Sequence, residues 1–450
     1  MTTPRTVAFH TLGCKLNYAE TSSVKRLFEN DGFTVVPYEG EADIYVLNTC
    51  SVTDNADREC RKSVRQVQRL NPQAKIVVMG CYAQLKPTEI ASIKGVDLVL
   101  GAAEKFHVLD YLNALDGSHQ QASVHADHIL LADTFNPAYS LGSRTRSFLK
   151  VQDGCDYKCT FCTIPQARGK SRSADIKDVV AQASAIAQLG VKEIVLTGVN
   201  IGDFGKGSFI DLIKALDDVK EISRFRISSI EPNLCTDEII NFVTSSERFM
   251  PHFHMPLQSG NNEILGKMKR RYQRELYQER VDHIRMNMPH ACIGVDVITG
   301  FPGESDFHFN DTLQFLEMIE IDYIHAFTYS ERENTPASSM PDVVPVYQRR
   351  KRSNILRNLS LKKKAAHYAR HIGEIRSVLF ENTNDVHCIS GFTDNYIRVS
   401  LKDSPSLVNT IQDVELDKLI LSGGDAVVWS SLQQQVTAIT AIVGVFSNNT

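Results

Sequence analysis

No stretch of the 450-residue chain approaches the roughly 20 consecutive apolar residues that a membrane-spanning helix needs. The opening residues, MTTPRTVAFHTLGCKLNYAE, lack the apolar core of roughly 7–15 residues that marks a secretory signal. A cytoplasmic location without membrane contact is the expectation. Internal repeats and low-complexity tracts are also missing. With 42% hydrophobic and 23% charged residues, the composition removes support for disordered and fibrous classes. A basic excess is absent too: 49 Lys and Arg stand against 53 Asp and Glu, a net charge of −4. Any contact with nucleic acid must come from local basic patches. Ten cysteines in a reducing compartment argue against a disulfide framework and for metal or redox chemistry wherever they cluster.

At this length two or three domains are expected. Residues 1–116 alternate β-branched runs (TVAFHTLG, DIYVLNTC, KIVVMGC, DLVLG) with amphipathic stretches, the pattern of a doubly wound α/β domain with a parallel sheet. Residues 117–143 are small, polar and weakly periodic, and read as a linker. Six strand candidates follow: SFLKVQ, EIVLTG, FRISSIE, HFHMPLQ, IGVDVITG and YIHAFTYS. With helices between them they form a partial (β/α)6 barrel over 144–372. That span ends in a long helix, 346–371, carrying nine Lys or Arg and no acid. Short alternating segments over 373–440 (RSVLFE, CISGFTDNYIRVSL, DAVVWSS) suit a small β-barrel.

Cys155, Cys159 and Cys162 form a C-x3-C-x2-C array directly after the first barrel strand. Three thiolates on one tight loop hold three irons of a [4Fe–4S] cluster and leave the fourth iron open. A structural zinc site needs four ligands, and no histidine lies between His128 and His252 to complete one locally. A thioredoxin-like reading of Cys159 to Cys162 leaves Cys155 unexplained. Cys14, Cys50 and Cys81 lie far apart in sequence, yet each closes a strand candidate, so a parallel sheet gathers them at one rim. A second three-cysteine cluster follows; buried free cysteine is the alternative. Cys60, Cys235, Cys292 and Cys388 share no such arrangement and read as structural. Strand-end segments supply candidates for a cofactor cradle: Gly198 and Asn200 in LTGVNIG, Glu231 in SSIEP, Gln258 in HMPLQSG, and Gly300, Pro302 and Gly303 in VITGFPGE. Capped strand-end turns are the bland reading of each.

The cysteine loop of the barrel resembles the radical S-adenosylmethionine superfamily. The two trios together, with VQDGCDYKCTFCTIPQARGKSRS after the first barrel strand, resemble the methylthiotransferase family from Val7 to about Trp429. That family joins an N-terminal cluster domain, a radical barrel and a C-terminal TRAM β-barrel. The resemblance implies two [4Fe–4S] clusters, S-adenosylmethionine bound beside Phe161 and the cradle residues, and one-electron cleavage of the cofactor's carbon–sulfur bond. It also implies insertion of a methylthio group, an external reductant of flavodoxin or ferredoxin type, and a sulfur donor. The first loop, GCKLNYAET, is similar to the branch acting on N6-threonylcarbamoyladenosine of tRNA. The branches acting on isopentenyladenosine in tRNA or on a ribosomal protein, and a non-catalytic iron–sulfur RNA-binding protein, are the alternatives. Asn334 in YSERENTPA stands where the family usually has Gly, which implies a left-handed turn that Asn tolerates.

For RNA, the anticodon stem-loop of tRNA is the implied partner. Tyr396 and Arg398 are expected on one strand face, where a ring stacks on a base beside a guanidinium on phosphate. The basic helix offers Arg350, Lys351 and Lys363, since nine cations without an acid repel one another unless phosphate relieves them.

Overall fold

The computed structural model describes residues 5–51, 54–115, 121–129, 132–142, 145–383, 388–402, 404–422 and 424–432. The first domain carries strands β1 (Thr6–Thr11), β2 (Thr34–Val36), β3 (Ile44–Thr49), β4 (Lys75–Gly80), β5 (Leu98–Leu100) and β6 (Ser123–His125). Its helices are α1 (Lys15–Asn30), α2 (Asp54–Leu70), α3 (Cys81–Leu85), α4 (Pro87–Ala91) and α5 (Val108–Asn113). The sheet is wholly parallel in the order β2-β1-β3-β4-β5-β6. Apolar cores form on both faces: Val24, Phe28, Val108 and Leu112 bring α1 and α5 to one, and Cys60, Val64, Val67 and Ile90 bring α2 and α4 to the other. Burial on both faces explains why these strands read as unbroken apolar runs.

The barrel is built from β7 (Ala138–Tyr139), β8 (Ser147–Lys150), β9 (Gln152–Asp153), β10 (Arg172–Ser173), β11 (Glu193–Thr197), β12 (Arg224–Ile227), β13 (His252–Gln258), β14 (Cys292–Thr299) and β15 (Tyr323–Thr328). Helices α6 (Ile164–Arg168), α7 (Ile176–Gln188), α8 (Phe209–Asp217), α9 (Asp237–Ser245), α10 (Asn262–Lys267), α11 (Arg274–Asn287) and α12 (Asp306–Met318) lie between. Strands β8, β11 and β12 pair in parallel, as do β13, β14 and β15, and isolated bridges Phe225–Phe249 and Ser229–His254 join the two halves. All six expected barrel strands are present. Alternate residues such as Ile194, Phe225, Phe253, Val295 and Ile324 face the helices in one large core, so their neighbours line the concave side.

The span 117–143 does more than link. Part of it, 117–120, 130–131 and 143, lies outside the described residues; the rest supplies β6, an edge of the first sheet, and β7, antiparallel to β8 at an edge of the barrel. Helix α13 (Val346–Arg370) then packs along β15 and leads to a closed five-stranded barrel. Its strands β16 (Ile375–Glu381), β17 (Cys388–Thr393), β18 (Arg398–Lys402), β19 (Ile411–Ser422) and β20 (Asp425–Leu432) run in the order β16-β17-β18-β20-β19. Of the expected 373–440 module, 433–440 lies outside the described residues. The small barrel docks at the lower mouth of the large one: Arg224 and Arg226 donate to backbone carbonyls of Ser377, Phe392, Thr393 and Asp394. No described helix is long and apolar enough to cross a membrane.

Candidate iron–sulfur active site

The loop after β9 carries Cys155, Cys159 and Cys162 at the upper end of the barrel. Backbone bonds pin it from three sides: Cys155 N–H donates to Gly169 O (3.0 Å), Thr160 N–H to Met268 O (3.1 Å), and Ala337 N–H to Thr160 O (2.9 Å). Arg270 Nη1 donates to Cys159 Sγ at 3.2 Å and its other nitrogen pairs with Glu231. Such N–H···S bonds orient a ligand and stabilise its charged form. Burial pushes the Cys155 thiol up to about 11 and the Cys162 thiol up to about 12. These thiols therefore hold their protons until a bound cation displaces them.

The expected cradle residues gather around this loop. Gln152 donates to Gly154 O, and its Oε1 accepts from Val199 and Asn200 N–H (3.0 and 2.8 Å), tying the Gly198–Asn200 turn to the cysteine loop. Both side-chain amide atoms of Asn200 are buried without a hydrogen-bond partner among the described residues. A buried amide in that state calls for a polar ligand. Gln258 closes β13 at a register shift, with φ +66°. Phe161 packs beside Phe301, Met268 and Tyr329 beneath the loop, with the Gly300, Pro302 and Gly303 turn adjoining it. Gly300 donates to Glu304 Oε2 (2.6 Å), and a side chain there would strike Arg349, so its glycine serves α13 packing as well.

The second trio meets at the rim of the first sheet. Cys14 caps α1, Cys50 follows β3, and Cys81 opens α3 directly after β4. Gly13 and Gly80 precede two of them, each with φ +101°. A Cβ at Gly13 would lie 2.5 Å from Cys50 Cβ and 2.9 Å from its Sγ, so only glycine lets the first loop approach the second. Asn17 donates to Leu12 O and Thr49 O, and Asn48 to Asn17 O, clamping both loops from behind. All ten cysteines are free thiols. Among the described residues, the groups gathered within 4.8 Å are His254–Asp296–His325 and Cys292–Asp322–His367; neither trio is that tight. Sulfurs around one zinc, at about 2.3 Å from the metal, stand about 3.8 Å apart, so the looser spacing fits a cluster better than an ion.

Between the trios lies a group of charges that sequence reasoning missed. Glu20 on α1 accepts from Lys105 (2.5 Å), Lys150 (3.0 Å) and Arg168 (3.0 Å), and Asp153 from Lys150 (2.6 Å) and Arg168 (2.9 Å). All five residues are buried, and they come from both domains. Arg172 also approaches Asp153 (3.7 Å), so four cations face two carboxylates and leave a surplus of positive charge near Cys81. Burial pushes the Glu20 carboxyl up, but Arg168, Lys105 and Lys150 outweigh it and hold its pKa well below the usual range. Arg168 ends α6, six residues after Cys162, and α6 packs on α3. The two cysteine sites are thus held on adjoining elements. The one local signal was a lysine and an aspartate inside SFLKVQD, where a buried strand should carry neither. A second clasp joins the Cys50 loop and α2 to the last barrel loop: Arg332 donates to Ser51 and pairs with Asp57 (3.0 Å).

The RNA candidates fare unevenly. Tyr396 is not on a strand face: it lies in the β17–β18 turn with φ +66°, its ring stacked on His252 (4.0 Å) and Phe392 (4.7 Å) at the lower mouth. Arg398 opens β18, exposed, 3.6 Å from Asp425. On α13 the expected self-repulsion is relieved by acids from neighbouring elements. Arg349 pairs with Glu331, Arg352 with Glu304 and Asp306, Lys364 with Asp425, and Arg370 with Asp322. Lys363 turns inward and donates to Glu317 O and Ile319 O at the end of α12. Arg350 and Lys351 remain exposed. A cavity of about 400 Å³ opens farther along α13, lined by Tyr323, His325, Arg357, Lys364, Tyr396 and Arg398 among others. Asn334 adopts the left-handed turn expected of it, φ +62°.

Residues 6–101 match the uncharacterized protein family UPF0004, and residues 149–316 the radical SAM superfamily. The chain is 38% identical over 426 residues to a protein of Bacillus subtilis named threonylcarbamoyladenosine tRNA methylthiotransferase MtaB, covering 92% of this chain and 94% of that one. The chain belongs to the radical SAM methylthiotransferase family. A protein of Aquifex aeolicus with the same name is 40% identical, over 87% of this chain and 96% of its own length. Among solved structures, the radical S-adenosylmethionine methyltransferase TsrM from Kitasatospora setae, with cobalamin and a [4Fe–4S] cluster, superposes with a TM-score of 0.57 at 14% identity, over 75% of this chain and 77% of that one. That likeness concerns the fold. As a radical SAM methylthiotransferase the chain is an enzyme that uses S-adenosylmethionine and [4Fe–4S] clusters.

Proposed function

We propose that this enzyme converts N6-threonylcarbamoyladenosine at position 37 of tRNA to its 2-methylthio derivative. The single observation behind the reading is the pair of three-cysteine sites on adjoining domains, one on a single loop of the barrel and one gathered at the ends of parallel strands, joined through α3 and α6. The barrel trio holds the cluster that binds S-adenosylmethionine, and Cys14, Cys50 and Cys81 hold the auxiliary one. When bound, these groups supply hydrogen abstraction from carbon and the sulfur and methyl to be transferred.

The chain's own residues hold and shield. Arg270 fixes Cys159 and is itself held by Glu231; Gln152 couples the cysteine loop to the Asn200 turn. At the lower mouth Tyr396 stacks on His252, so the docked C-terminal barrel narrows the way by which water reaches a lumen where reactive species would be quenched. The surplus positive charge of the Glu20–Arg168 group favours an anionic auxiliary cluster. For the RNA, the C-terminal barrel acts as the TRAM module, with Arg350, Lys351 and Arg398 on phosphate. An external reductant of flavodoxin or ferredoxin type and a sulfur donor complete the cycle in the cytoplasm.

Nucleoside mass analysis tests this directly. Transfer RNA from cells lacking the protein should lose 2-methylthio-N6-threonylcarbamoyladenosine and retain its unthiolated precursor, with recovery by the wild-type gene but not by Cys81→Ala. An unchanged nucleoside profile overturns the proposal.

A further inference from the structure

Inside the barrel, three adjacent strands bring polar side chains to one place that neither cysteine site uses. His254 on β13, Asp296 on β14 and His325 on β15 project from the concave side, since Phe253, Met255, Val295, Val297, Ile324 and Ala326 face the helices. His254 Nε2 lies 2.9 Å and His325 Nδ1 3.3 Å from the same Asp296 oxygen. Behind them the Tyr323 hydroxyl stands 3.0 Å from both His254 Nδ1 and His252 Nε2, fixing both rings. Burial pushes the Asp296 carboxyl up, but the bonds from His254 and His325 outweigh it, so the group stays ionised.

The unit faces the cofactor end. Burial pushes the Glu231 carboxyl up and the Arg270 guanidinium pulls it down, while the Asp296 charge adds a smaller upward push from the lumen side; Arg270 in turn links Glu231 to Cys159. It is also open: the His325 side chain is 55% exposed, against 10% for His254 and 23% for Asp296. The His325 ring borders the cavity shared with Arg357, Lys364 and Arg398. With Nδ1 on Asp296, His325 Nε2 has no protein partner among the described residues, nor has the second Asp296 oxygen. A lumen wall of this kind presents acceptors to N–H and O–H groups, and a donor when the imidazole is protonated. It does not suit a hydrocarbon.

We propose that the His254–Asp296–His325 unit reads the N6 substituent of the substrate adenine, accepting a polar urea-type group with N–H and hydroxyl donors and rejecting an apolar prenyl chain. The inference rests on the RNA-modifying reading above and adds to it the residues that choose the substrate. A site built to hydrogen-bond rejects the analogue that lacks the partner, because polar atoms that water serves in the open lumen are stripped of it and left unpaired when that analogue covers them.

The test uses full-length, reconstituted enzyme and synthetic anticodon stem-loops carrying either N6-threonylcarbamoyladenosine or N6-isopentenyladenosine. Wild type should favour the first by at least about 100-fold in kcat/KM. His325→Leu should lose about 10- to 100-fold on the first substrate, chiefly in KM, and narrow the preference to below about tenfold. His325→Asn, which keeps a hydrogen-bonding tip, should recover part of both, and it carries the test alone if His325→Leu fails to fold. A wild-type enzyme that turns over neither RNA sinks the functional reading itself. A wild-type preference retained in full by His325→Leu, or by His325→Asn alone with no loss at all, overturns this inference only. So does a stoichiometric divalent ion, beyond cluster iron, that His325→Leu releases, because the unit would then be a metal site.

Discussion

Replacing Arg168 with methionine isolates the buried charge group between the two cysteine sites. The guanidinium is 2% exposed and makes four short contacts: to Glu20 on both oxygens (3.0 Å each), to Asp153 (2.9 Å) and to Asn17 (2.6 Å). Methionine fills much of the volume, so the loss is mainly electrostatic. Removing one partner of a buried ion pair costs about 3–5 kcal/mol, because the group left behind stays desolvated. Two lysines still serve Glu20, and Lys150 still serves Asp153, which argues for the lower end of that range. The site also loses one positive charge beside Cys81. Against a total stability of about 5–15 kcal/mol, such a loss is visible as a fall in melting temperature of roughly 6–12 °C. Auxiliary iron should be lost with it, lowering content from about eight to about four irons per chain, while the barrel cluster remains. Arg168→Lys, which keeps charge without the fork, should fall between. Melting within about 1 °C of wild type together with full iron content would show that the charge group neither clasps the domains nor supports the cluster.

Gly13→Ala forces a methyl to within 2.5 Å of Cys50 Cβ at φ +101°, so iron assays should show the auxiliary cluster missing and the barrel cluster kept. Retention of both would mean that the first loop reaches Cys50 from another direction. Charge reversal at Arg350 and Lys351 should weaken tRNA binding and reduce the slope of log affinity against log salt by about two. Lys363→Glu should leave that slope alone and instead destabilise the end of α12 by about 1 kcal/mol, since its ammonium serves backbone carbonyls. Equal effects from all three positions would contradict the side-chain placement. For acid, Glu20 and Asp153 both have folded-state values held below their ordinary 4.5 and 3.8. Their contribution is therefore complete above about pH 4.5 and is lost as pH falls through the lower folded values. Metal-free protein should melt with little pH dependence from these groups above that point and with a steep decline below it, and Glu20→Gln should flatten the decline; an identical slope in the variant refutes the linkage.

What the sequence makes legible depends on how far apart the cooperating residues lie. The barrel cysteines occupy one loop, and each remaining trio member ends an apolar strand run, so local patterning was enough to place all six. The strand β19 escaped because a register shift between Leu416 and Lys418 breaks its alternation, and Asp413, Glu415 and Asp417 crowd its outer face. The cation count of α13 was correct, yet its meaning was not. Glu304 and Asp306 neutralise Arg352 from more than 40 residues upstream, and no window on the helix itself contains them. Tyr396 was placed on a strand because hydrophobic alternation runs through it; the Asp394-Asn395 pair just before it marks the turn that moves its ring into the lumen mouth.

The same logic separates the reaction from the choice of substrate. Chemistry that needs an iron–sulfur group requires ligands at set spacing on short loops, and such spacing survives as a readable motif. Reading a substituent requires only that a few polar atoms converge in a lumen. His254, Asp296 and His325 satisfy that from three strands separated by two helices in the first interval and one in the second, and by more than 25 residues each time, through the parallel register that sets Pro256 opposite Asp296 and Asp296 opposite His325. A single histidine within HMPLQ or YIHAF is indistinguishable, as sequence, from one that merely packs. Only the shared concave side, where the apolar neighbours of all three face away, turns them into one unit. Within this fold the type of reaction is therefore written in local motifs, whereas the identity of the substrate is written in strand register.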